Sequence, residues 1–439
     1  MSLSRRAFIR SSGLALIAAG TSTVGCAGAP RSRGLRISRV LIQESRGQRP
    51  TPVAPNAYAG YRGTQVVETI LRIQTSQGIE GIAHAGGSAE TLKQLLGLDP
   101  FKLFLWDAQA RITGPAEEHQ ALLTRLGSAD VALLDLLGKA LDRPTASLLG
   151  KPVRTTVPVY DSSLYMEDLL KPDQLQGLAY LNGPVPTDPV ELVALKANWV
   201  IHQRPEGFKA IKLKIGRVKW MASFETALAR DIAVTNAVRK AIGSEIKLMV
   251  DANKAYQPNP LAVIDYAQAV AGDRVYWMEE MFPEVDTANM QAVKHRLRAA
   301  DNPVKLAAGE SYDGGLLEKV YTQRCEGAKG SEPLIDIEQA DMNAHGFLRL
   351  RAKAAVQAGM GMTMAPHNFG SKMGIYAQVH LGMSIPNWEM AEMDDAEFPA
   401  LLAEGITIRK GVAKLTGAPG LGVRLKEDKL SKPSLELQS

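Results

Sequence analysis

Cysteine is nearly absent from this 439-residue sequence. Only Cys26 and Cys325 occur, so no disulfide framework can hold the fold together. Low-complexity tracts and basic tracts are also missing, and the lack of basic tracts argues against nucleic acid as a partner. No membrane span is expected, because the apolar run near the N-terminus is too short to cross a bilayer. The remaining composition is that of a globular protein, 45% hydrophobic and 22% charged, with enough length for a barrel and one smaller domain.

Residues 1–29 carry the parts of an export signal. Ser4-Arg5-Arg6-Ala7-Phe8-Ile9-Arg10 resembles the twin-arginine signal, and a short apolar run at residues 14–19 follows it, then several small residues. We therefore expect export by the twin-arginine route to the periplasm. Loss of this segment would remove three arginines and lower the formal net charge from +5 to +2, so the basic character of the chain belongs partly to the signal.

Two processing sites remain open in this segment. Ala27-Gly28-Ala29 is an ordinary small-residue cleavage site. Thr23-Val24-Gly25-Cys26 is a poor relative of the lipoprotein box, because an aliphatic residue is preferred where Thr23 stands. Simple cleavage is therefore the first expectation, and a lipid anchor at Cys26 is the alternative.

Residues 36–155 are predicted to form an α+β domain. Three strand-like runs lie at residues 35–44, 66–75 and 78–84, and a helical region follows at residues 89–150. A Pro- and Gly-rich loop at residues 47–63 is too long for a simple connection, which suggests a lid. Tyr58 and Arg62 in this loop, and His84 beside a glycine pair, are candidate substrate contacts.

A repeating pattern of strand and helix occupies residues 156–405. Short apolar runs end in charged or polar side chains about 22 to 37 residues apart, namely Lys214, Asp251, Glu279, Glu310, Asp341, His367 and Glu389. This spacing accommodates one strand and one helix per step, which predicts a parallel (β/α) barrel. Residues at the C-terminal ends of barrel strands meet at one mouth, so these side chains should converge there. Residues 406–439 should return towards the first domain.

Lys212 and Lys214 lie at the end of the run Phe208-Lys209-Ala210-Ile211-Lys212-Leu213-Lys214. Side chains alternate across a strand, so both lysines should point to the same side. Two neighbouring ammonium groups repel each other, and this repulsion favours loss of one proton. This arrangement is one way to obtain a lysine base that works near neutral pH. An edge strand with a solvated basic face is the alternative interpretation of these residues alone.

The ordered set of charged residues resembles the mandelate racemase branch of the enolase superfamily. Ala132-Leu133-Leu134-Asp135-Leu136-Leu137-Gly138-Lys139 followed by Leu148-Leu149-Gly150 also resembles that family's signature at the junction of its two domains. The resemblance implies a modified TIM barrel with an N-terminal α+β capping domain and Mg²⁺ at the mouth. It implies Asp251, Glu279 and Glu310 as metal ligands, a hard oxygen set that leaves coordination positions open for a substrate carboxylate.

The same resemblance implies roles for the remaining residues. Lys214 matches the base on one face of the substrate, with Lys212 tuning its pKa and contacting the carboxylate. His367 matches the base on the opposite face, and Asp341 matches the residue that orients it. Glu389 matches an acid that hydrogen-bonds the far carboxylate oxygen.

Several assignments stay open at this point. The family usually has Glu-Glu-Pro after the fourth strand, whereas this chain has Glu279-Glu280-Met281-Phe282-Pro283, so Glu280 is the alternative ligand to Glu279. Asn253 shares a face with Asp251 and is placed to reach metal-bound groups. Asn343 and His345, just beyond Asp341, are further candidate substrate contacts.

The reaction expected from these residues is Mg²⁺-assisted removal of the α-proton of a small carboxylate substrate through an enediolate. Dehydration of a sugar acid is the leading expectation, because the Lys and His pair could both remove the proton and protonate a departing hydroxyl. Racemisation, epimerisation and cycloisomerisation share the first step and remain alternatives. A catalytically idle exported binding protein is the alternative from another class. Proteins of this kind are often multimeric, so a homo-oligomer is expected.

Overall fold

The computed structural model describes residues 34–310, 320, 323–327 and 330–439. The export signal expected at residues 1–29 and the alternative lipid site at Cys26 lie outside these residues. Among the helices of the described ranges, none has the length and apolar character needed to cross a membrane.

An antiparallel sheet forms the centre of the N-terminal domain. Its strands are β1 (Ile37–Val53), β2 (Gly63–Thr75), β3 (Glu80–His84) and, from the end of the chain, β20 (Leu435–Gln438), in the order β20-β1-β2-β3. The other elements are α1 (Ala89–Lys93), the hairpin β4 (Phe104–Trp106) and β5 (Ile112–Pro115), α2 (Gln120–Leu126) and α3 (Asp130–Ala140). Helix α3 approaches β3 so closely that a Cβ on Gly81 would lie 2.0 Å from the carbonyl oxygen of Ala132.

The first strand is longer than the sequence predicted. β1 continues to Val53 and pairs with β2 from the register Val40–Ile73 to Gln48–Gln65, with an irregular step before Val53. The loop expected at residues 47–63 is therefore shorter, and only residues 54–62 connect the two strands. We call residues 54–62 the lid.

Eight strands close into the barrel of the second domain. They are β6 (Val157–Leu164), β7 (Ala210–Lys214), β8 (Lys247–Asp251), β9 (Val275–Glu279), β10 (Lys305–Ala308), β13 (Ile337–Glu338), β14 (Thr363–Met364) and β15 (Ala391–Met393). Neighbouring strands are parallel throughout, β15 pairs with β6, and a parallel bridge between Met364 and Trp388 completes the ring. This ring is the predicted modified TIM barrel, with the antiparallel domain as its cap.

Helices on the outside connect the barrel strands. They are α4 (Val190–His202), α5 (Phe224–Ile242), α6 (Ala262–Ala269), α7 (Thr287–Ala299), α8 (Met342–Gly359) and α9 (Lys372–Gly382). Between β10 and β13 lies the hairpin β11 (Arg324–Gly327) and β12 (Gly330–Pro333). Helices α4 and α5 pack side by side on the barrel, and each buries the apolar side of its helix against the strands.

One layer of side chains fills the inside of the barrel. The residues of this inner layer come from all eight strands or the residues next to them: Tyr160, Ala210, Met249, Trp277, Ala307, Ile337, Ala365 and Met390. Because side chains alternate along a strand, the residue two positions later faces inward again, one step closer to the mouth. The inner layer therefore determines which side chains reach the C-terminal ends of the strands.

The end of the chain ties the two domains together. The hairpin β17 (Ile406–Arg409) and β18 (Val412–Leu415) pairs with β6, β16 (Leu401–Ala403) pairs with β19 (Val423–Leu425), and β20 joins the cap sheet. Asp135 of α3 connects the cap to the C-terminal segment. Its carboxylate accepts hydrogen bonds from the backbone N–H groups of Ile82 at 2.8 Å and Leu421 at 2.6 Å, and pairs with Lys139 at 2.7 Å.

The lid lies against the barrel loop that follows β7. The Trp220 indole N–H donates to the carbonyl of Asn56 at 2.7 Å, and the Lys219 ammonium donates to the carbonyl of Tyr58 at 2.9 Å. The Asn56 side chain accepts from the backbone N–H of Ala59 at 2.7 Å, which closes the loop on itself. The cap thus contributes a fixed segment to the rim of the mouth.

Candidate active site

Two lysines on β7 face the mouth, two and four residues after the inner-layer residue Ala210. Lys212 Nζ lies 2.7 Å from Glu279 Oε1 and 3.0 Å from Glu392 Oε1. Lys214 pairs with Asp251 and donates to Asn253 Oδ1 at 3.0 Å. The register places Lys214 beside Asp251 and Asp251 beside Glu279 on successive strands, which explains why these charges meet.

The carboxylates around the two lysines raise the pKa of both ammonium groups. Burial alone would lower the pKa of both lysines, but the surrounding carboxylates outweigh it. Glu279 and Glu392 hold the pKa of Lys212 well above its usual value, and Asp251 raises that of Lys214 despite the opposing charge of Lys212. Repulsion between the two ammonium groups is therefore the weaker effect as long as these acids have no other counter-charge.

Three carboxylates form a cluster at the ends of β8, β9 and β10. Oxygen atoms of Asp251, Glu279 and Glu310 all lie within 4.8 Å of one another. Trp277 Nε1 and Gln339 Nε2 donate to Glu279 Oε2 at 3.1 and 2.6 Å and fix its orientation. We call Asp251, Glu279 and Glu310 the carboxylate cluster.

The carboxylate cluster fits a divalent cation. Glu310 Oε2 is buried and accepts no hydrogen bond from the described residues, although His367 lies 3.3 Å away. Burial raises the pKa of Glu279 to about 8, with Asp251 adding to the effect and Lys212 opposing it. A set of buried oxygens with this excess of negative charge, and with room for further ligands, is the kind of site that Mg²⁺ occupies.

The structure separates Glu279 from its neighbour Glu280. Glu280 has a positive φ of 42° and forms an ion pair with Lys254 at 3.2 Å, so its carboxylate is outside the carboxylate cluster. Burial raises its pKa to about 10, reinforced by the nearby charges of Glu310 and Asp251. Asn253 and Lys254 also have positive φ values, 42° and 67°, a concentration of backbone strain that is typical of functional sites.

His367 and Asp341 form a hydrogen-bonded pair on the other side of the carboxylate cluster. His367 Nδ1 lies 2.6 Å from Asp341 Oδ2, and its Nε2 is directed to Glu310. Asp341 is itself fixed, because it caps the start of α8 by accepting from the backbone N–H of Asn343 at 2.6 Å. Burial alone would lower the pKa of His367, but Glu310, Glu392 and Asp341 raise it well above its usual value.

The placement of Glu389 contradicts the sequence expectation. Its carboxylate contacts the Tyr276 hydroxyl and lies 3.3 Å from Lys305 Nζ and 3.7 Å from Lys247 Nζ. Lys247 and Lys305 are the first residues of β8 and β10, so Glu389 lies at the end of the barrel opposite the mouth. Glu389 comes before the inward-facing Met390, and the strand proper begins only at Ala391.

Glu392 is the eighth-strand acid at the mouth, and the sequence interpretation missed it. It follows the inner-layer residue Met390 by two positions, as Asp251 follows Met249 and Glu279 follows Trp277. Besides Lys212, it accepts from the backbone N–H of Asn368 at 2.8 Å. Gln339, two positions after Ile337, was missed for the same reason. A search for the residue two positions past each inward apolar side chain would have identified both.

The remaining predicted contacts fall into different environments. His84 Nδ1 lies 2.9 Å from Glu68 Oε1. Asn343 donates to Asn368 Oδ1 at 2.9 Å, within the network that holds Glu392. Arg62 is exposed and lies over the ring of Phe369.

Tyr58 and His345, two further candidate substrate contacts, differ in their exposure. Tyr58 belongs to the lid and is 60% exposed, and its backbone carbonyl accepts a hydrogen bond from Lys219. His345 is only 3% exposed within α8, and burial, with Lys353 and Arg349 nearby, lowers its pKa to about 4. A buried neutral histidine without access from the mouth is a packing residue rather than a substrate contact.

Comparisons with known proteins agree with this geometry. The family model described as "Enolase C-terminal domain-like" matches residues 196–429, more than half of the chain and nearly the whole barrel. The chain belongs to the enolase superfamily. The superfamily assignment covers the barrel strands that carry both lysines, the carboxylate cluster and the His367–Asp341 pair, and its members among the relatives below are enzymes.

Several similar proteins are named for sugar acids or their lactones. The D-galactarolactone cycloisomerase of Agrobacterium fabrum is 27% identical over 353 residues, which are 77% of this chain and 81% of that protein. A galacturonate dehydratase from Geobacillus sp., solved with D-galacturonate and 5-keto-4-deoxy-D-galacturonate, superimposes with a TM-score of 0.73 at 25% identity, covering 91% of this chain and 96% of that one. A mandelate racemase/muconate lactonizing protein from Geobacillus sp. Y412MC10, solved with magnesium and tartrate, gives 0.72 at 25% identity over 91% and 94% of the two chains.

Proposed function

We propose that this protein is a Mg²⁺-dependent dehydratase of a sugar acid. The observation that carries the proposal is the placement of two bases on either side of one carboxylate cluster. Lys214 contacts Asp251 at one edge of the cluster, and His367 faces Glu310 at the other. A substrate held between them presents one face of its α-carbon to each base, as proton removal and proton return both require.

Asp251, Glu279 and Glu310 would hold the metal ion. When bound, Mg²⁺ would withdraw electrons from the substrate carboxylate and stabilise the negative charge that develops as the α-proton leaves. Lys212 is directed to the same point by Glu279 and Glu392, and its ammonium group would donate to a carboxylate oxygen of the substrate. Substrate carboxylate binding and charge stabilisation are therefore assigned to the same side of the mouth.

The two bases then complete the elimination. Lys214 in its neutral form, or neutral His367, takes the α-proton, and the electron pair of the C–H bond moves into the carboxylate. The C–O bond at the β-carbon breaks, and the departing hydroxyl takes a proton from protonated His367 and leaves as water. The resulting enol becomes a 2-keto acid by ordinary tautomerisation. Asp341 keeps His367 oriented and stabilises its protonated form throughout.

Cycloisomerisation of a sugar lactone is the second candidate. The similarity to D-galactarolactone cycloisomerase over 77% of this chain favours it, and the same first step serves both reactions. In that case the proton leaves as before, and the C–O bond that breaks belongs to the lactone ring, so no water is released. The product therefore distinguishes the two candidates.

Proton NMR in D₂O tests the proposed chemistry. Purified protein with Mg²⁺ would be incubated with a panel of sugar acids and sugar lactones, alongside Lys214→Ala and His367→Ala. We expect either deuterium at the α-position or a new keto-acid signal with at least one substrate, and loss of the signal by a factor of about 10² or more in the variants. Lys247→Ala, at the opposite end of the barrel, and the exposed His202→Ala are matched controls that should retain activity.

Two results would contradict the proposal. Equal activity of wild type and both base variants would show that Lys214 and His367 do not move protons. Tight binding of a sugar acid with Mg²⁺, without exchange in a broad panel, would instead support an exported binding protein on this scaffold.

We further propose that the protein is exported by the twin-arginine route and acts in the periplasm as a homo-oligomer. The Ser4-Arg5-Arg6-Ala7-Phe8 motif and the apolar run after it support export. Replacing Arg5 and Arg6 by lysine should retain the protein in the cytoplasm of a host with this pathway, as cell fractionation would show. Labelling with a radioactive fatty acid would distinguish a lipid-anchored Cys26 from simple cleavage.

A further inference from the structure

Arg62 is a charged side chain of the lid without an acidic partner among the described residues. Its guanidinium group lies 5.3 Å from the centre of the Phe369 ring, and the side chain is exposed. The backbone fixes its position, since the Arg62 N–H donates to the carbonyl of Val53 at 3.0 Å. Phe369 follows His367 by two residues, so Arg62 stands near the base on one side of the mouth.

A second arginine contacts the same ring, but its charge is neutralised. Arg49 lies 5.0 Å from the Phe369 ring centre and is buried. Its guanidinium donates two hydrogen bonds to the carboxylate of Asp394, at 3.0 and 2.8 Å. Asp394 also accepts from the backbone N–H of Gly370 at 2.7 Å. Arg49 therefore holds the loops together, whereas the charge of Arg62 remains available.

The barrel topology places Arg62 across the mouth from the carboxylate cluster. The cluster follows β8, β9 and β10, the third, fourth and fifth strands of the ring. Phe369 and Asp394 follow β14 and β15, the seventh and eighth strands, and in a closed ring of eight the eighth strand lies opposite the fourth. Tyr165, after the first strand β6, packs on Val53 and Ala54 at the start of the lid and completes this side.

We propose that Arg62 binds a second carboxylate at the far end of the substrate, so that the preferred substrates are sugar diacids rather than sugar monoacids. This rests on the proposed function for the position of the first carboxylate, between Lys212 and the carboxylate cluster. In this proposal the other end of an extended sugar chain anchored there lies beside the seventh and eighth strands. A guanidinium group without a partner binds a carboxylate through two parallel hydrogen bonds, whereas a terminal hydroxymethyl group offers it no charge.

Matched pairs of ligands test this directly. Galactarate and glucarate each carry a carboxylate where galactonate and gluconate carry a hydroxymethyl group, and the paired compounds are otherwise alike. Binding would be measured by isothermal titration calorimetry with Mg²⁺ in a Lys214→Met background, which prevents turnover, and kcat/KM would be measured with Lys214 intact. Arg62→Met removes the charge at similar length, and Arg62→Lys keeps the charge without the forked geometry.

We expect Arg62→Met to weaken binding of the better diacid by about 10- to 100-fold and to leave the matching monoacid within twofold. Arg62→Lys should recover part of the loss. Arg46→Met is the control, because Arg46 is an exposed arginine of β1 that lines an outer groove beside Glu397 and Pro399. Arg46→Met should leave the affinity for both the diacid and the monoacid unchanged.

Equal losses for diacid and monoacid would overturn the assignment and leave Arg62 as a structural support for Phe369. The assignment would also be overturned if the wild-type protein bound neither diacid more tightly than the matching monoacid. Turnover tests the proposed function independently of the binding measurements. Diacid binding that depends on Arg62 without any proton exchange would uphold the inference and contradict the proposed reaction. Turnover of monoacids that is unaffected by Arg62→Met would support the proposed reaction and contradict the inference about Arg62.

Discussion

Glu389 and Glu392 are only three positions apart in the sequence, but their side chains lie at opposite ends of the barrel. Glu392 lies against Lys212 and the backbone of Asn368 at the mouth, whereas Glu389 lies among Tyr276, Lys247 and Lys305 at the other end. Both are glutamates of one short segment, and both have lysine partners. Only the inward position after Met390 gives Glu392 access to the reacting groups, so the roles of the two acids should separate on mutation.

We expect Glu392→Gln to lower kcat/KM for proton exchange by about 10²-fold, because the amide no longer fixes the Lys212 ammonium group by charge. Glu389→Gln should leave kcat/KM within twofold and cost at most about 1 kcal/mol of unfolding free energy, since its lysine partners are partly exposed. Steady-state kinetics and thermal unfolding of both variants provide the comparison. A larger catalytic loss in Glu389→Gln than in Glu392→Gln would contradict the structural placement.

At the scale of elements, the cap helix α3 controls the geometry of α8. Asp130 at the start of α3 is fully buried and accepts from the backbone N–H groups of Phe347 at 2.9 Å and Leu348 at 2.8 Å. These groups follow Gly346, which has a φ of 73° and interrupts α8. A Cβ on Gly346 would lie 2.3 Å from the Asp130 carboxylate, so this position requires glycine. Asp341, the hydrogen-bond partner of His367, caps the start of α8. The contact between Asp130 and α8 therefore helps to fix the helix that positions Asp341.

This contact predicts a pH dependence of stability. Burial raises the pKa of Asp130 to about 7, and the two backbone hydrogen bonds only partly oppose it. Between about pH 4 and pH 7 the folded protein holds a proton here that the unfolded chain has lost, so the contribution of Asp130 to stability falls as pH rises and is constant above pH 7. The total change is on the order of 3–4 kcal/mol.

Urea unfolding of wild type and Asp130→Asn at several pH values would measure this contribution. The difference in unfolding free energy, wild type minus variant, should decrease from pH 5 to pH 7 and then level off. Parallel pH profiles of the two proteins would show that Asp130 does not titrate in this range. Asp142→Asn, at an exposed position in the turn after α3, is a control that should not alter the slope.

Strands β7, β8, β9 and β10 could be predicted from the sequence, because each is a short apolar run with a charged residue at its end or, for β10, two residues beyond it. β15 could not, because Trp388-Glu389-Met390-Ala391-Glu392-Met393 offers two acids and the choice depends on where the strand begins. That start is set by the ring closure, in which Met364 pairs with Trp388, a contact between segments far apart in the sequence. The extension of β1 to Val53 was missed for a similar reason, since its end bonds to the barrel at Glu397.

At the scale of the whole molecule, the site is a joint product of two domains. The barrel supplies the two proposed bases, Lys214 and His367, and the carboxylate cluster, and the cap supplies the lid, His84 and Glu68. Glu68 is fully buried and accepts from Ser371 Oγ at 2.6 Å and from the backbone N–H of Lys372 at 2.7 Å, at the start of α9. The cap sheet therefore contacts the start of the helix that follows His367.

The buried negative charge of the mouth makes the whole fold sensitive to a divalent cation. Oxygen atoms of Asp251, Glu279 and Glu310 lie within 4.8 Å of one another, so a cation that binds there in the folded protein alone relieves the repulsion between these carboxylates. Such binding stabilises by RT ln(1 + [L]/Kd), about 2.7 kcal/mol at a concentration of 100 Kd. We therefore expect millimolar Mg²⁺ to raise Tm by a few degrees, and EDTA to reverse the rise.

K⁺ at equal ionic strength should not reproduce this stabilisation, and the double variant Asp251→Asn, Glu310→Gln should lose it. The same double variant should be less stable than wild type without Mg²⁺, because Asp251→Asn removes the carboxylate that pairs with the buried Lys214. The exposed Glu404→Gln is the matched control and should respond to Mg²⁺ as wild type does. An equal rise in Tm for the double variant would place the cation elsewhere on the molecule, and no rise for wild type would contradict a metal site at the carboxylate cluster.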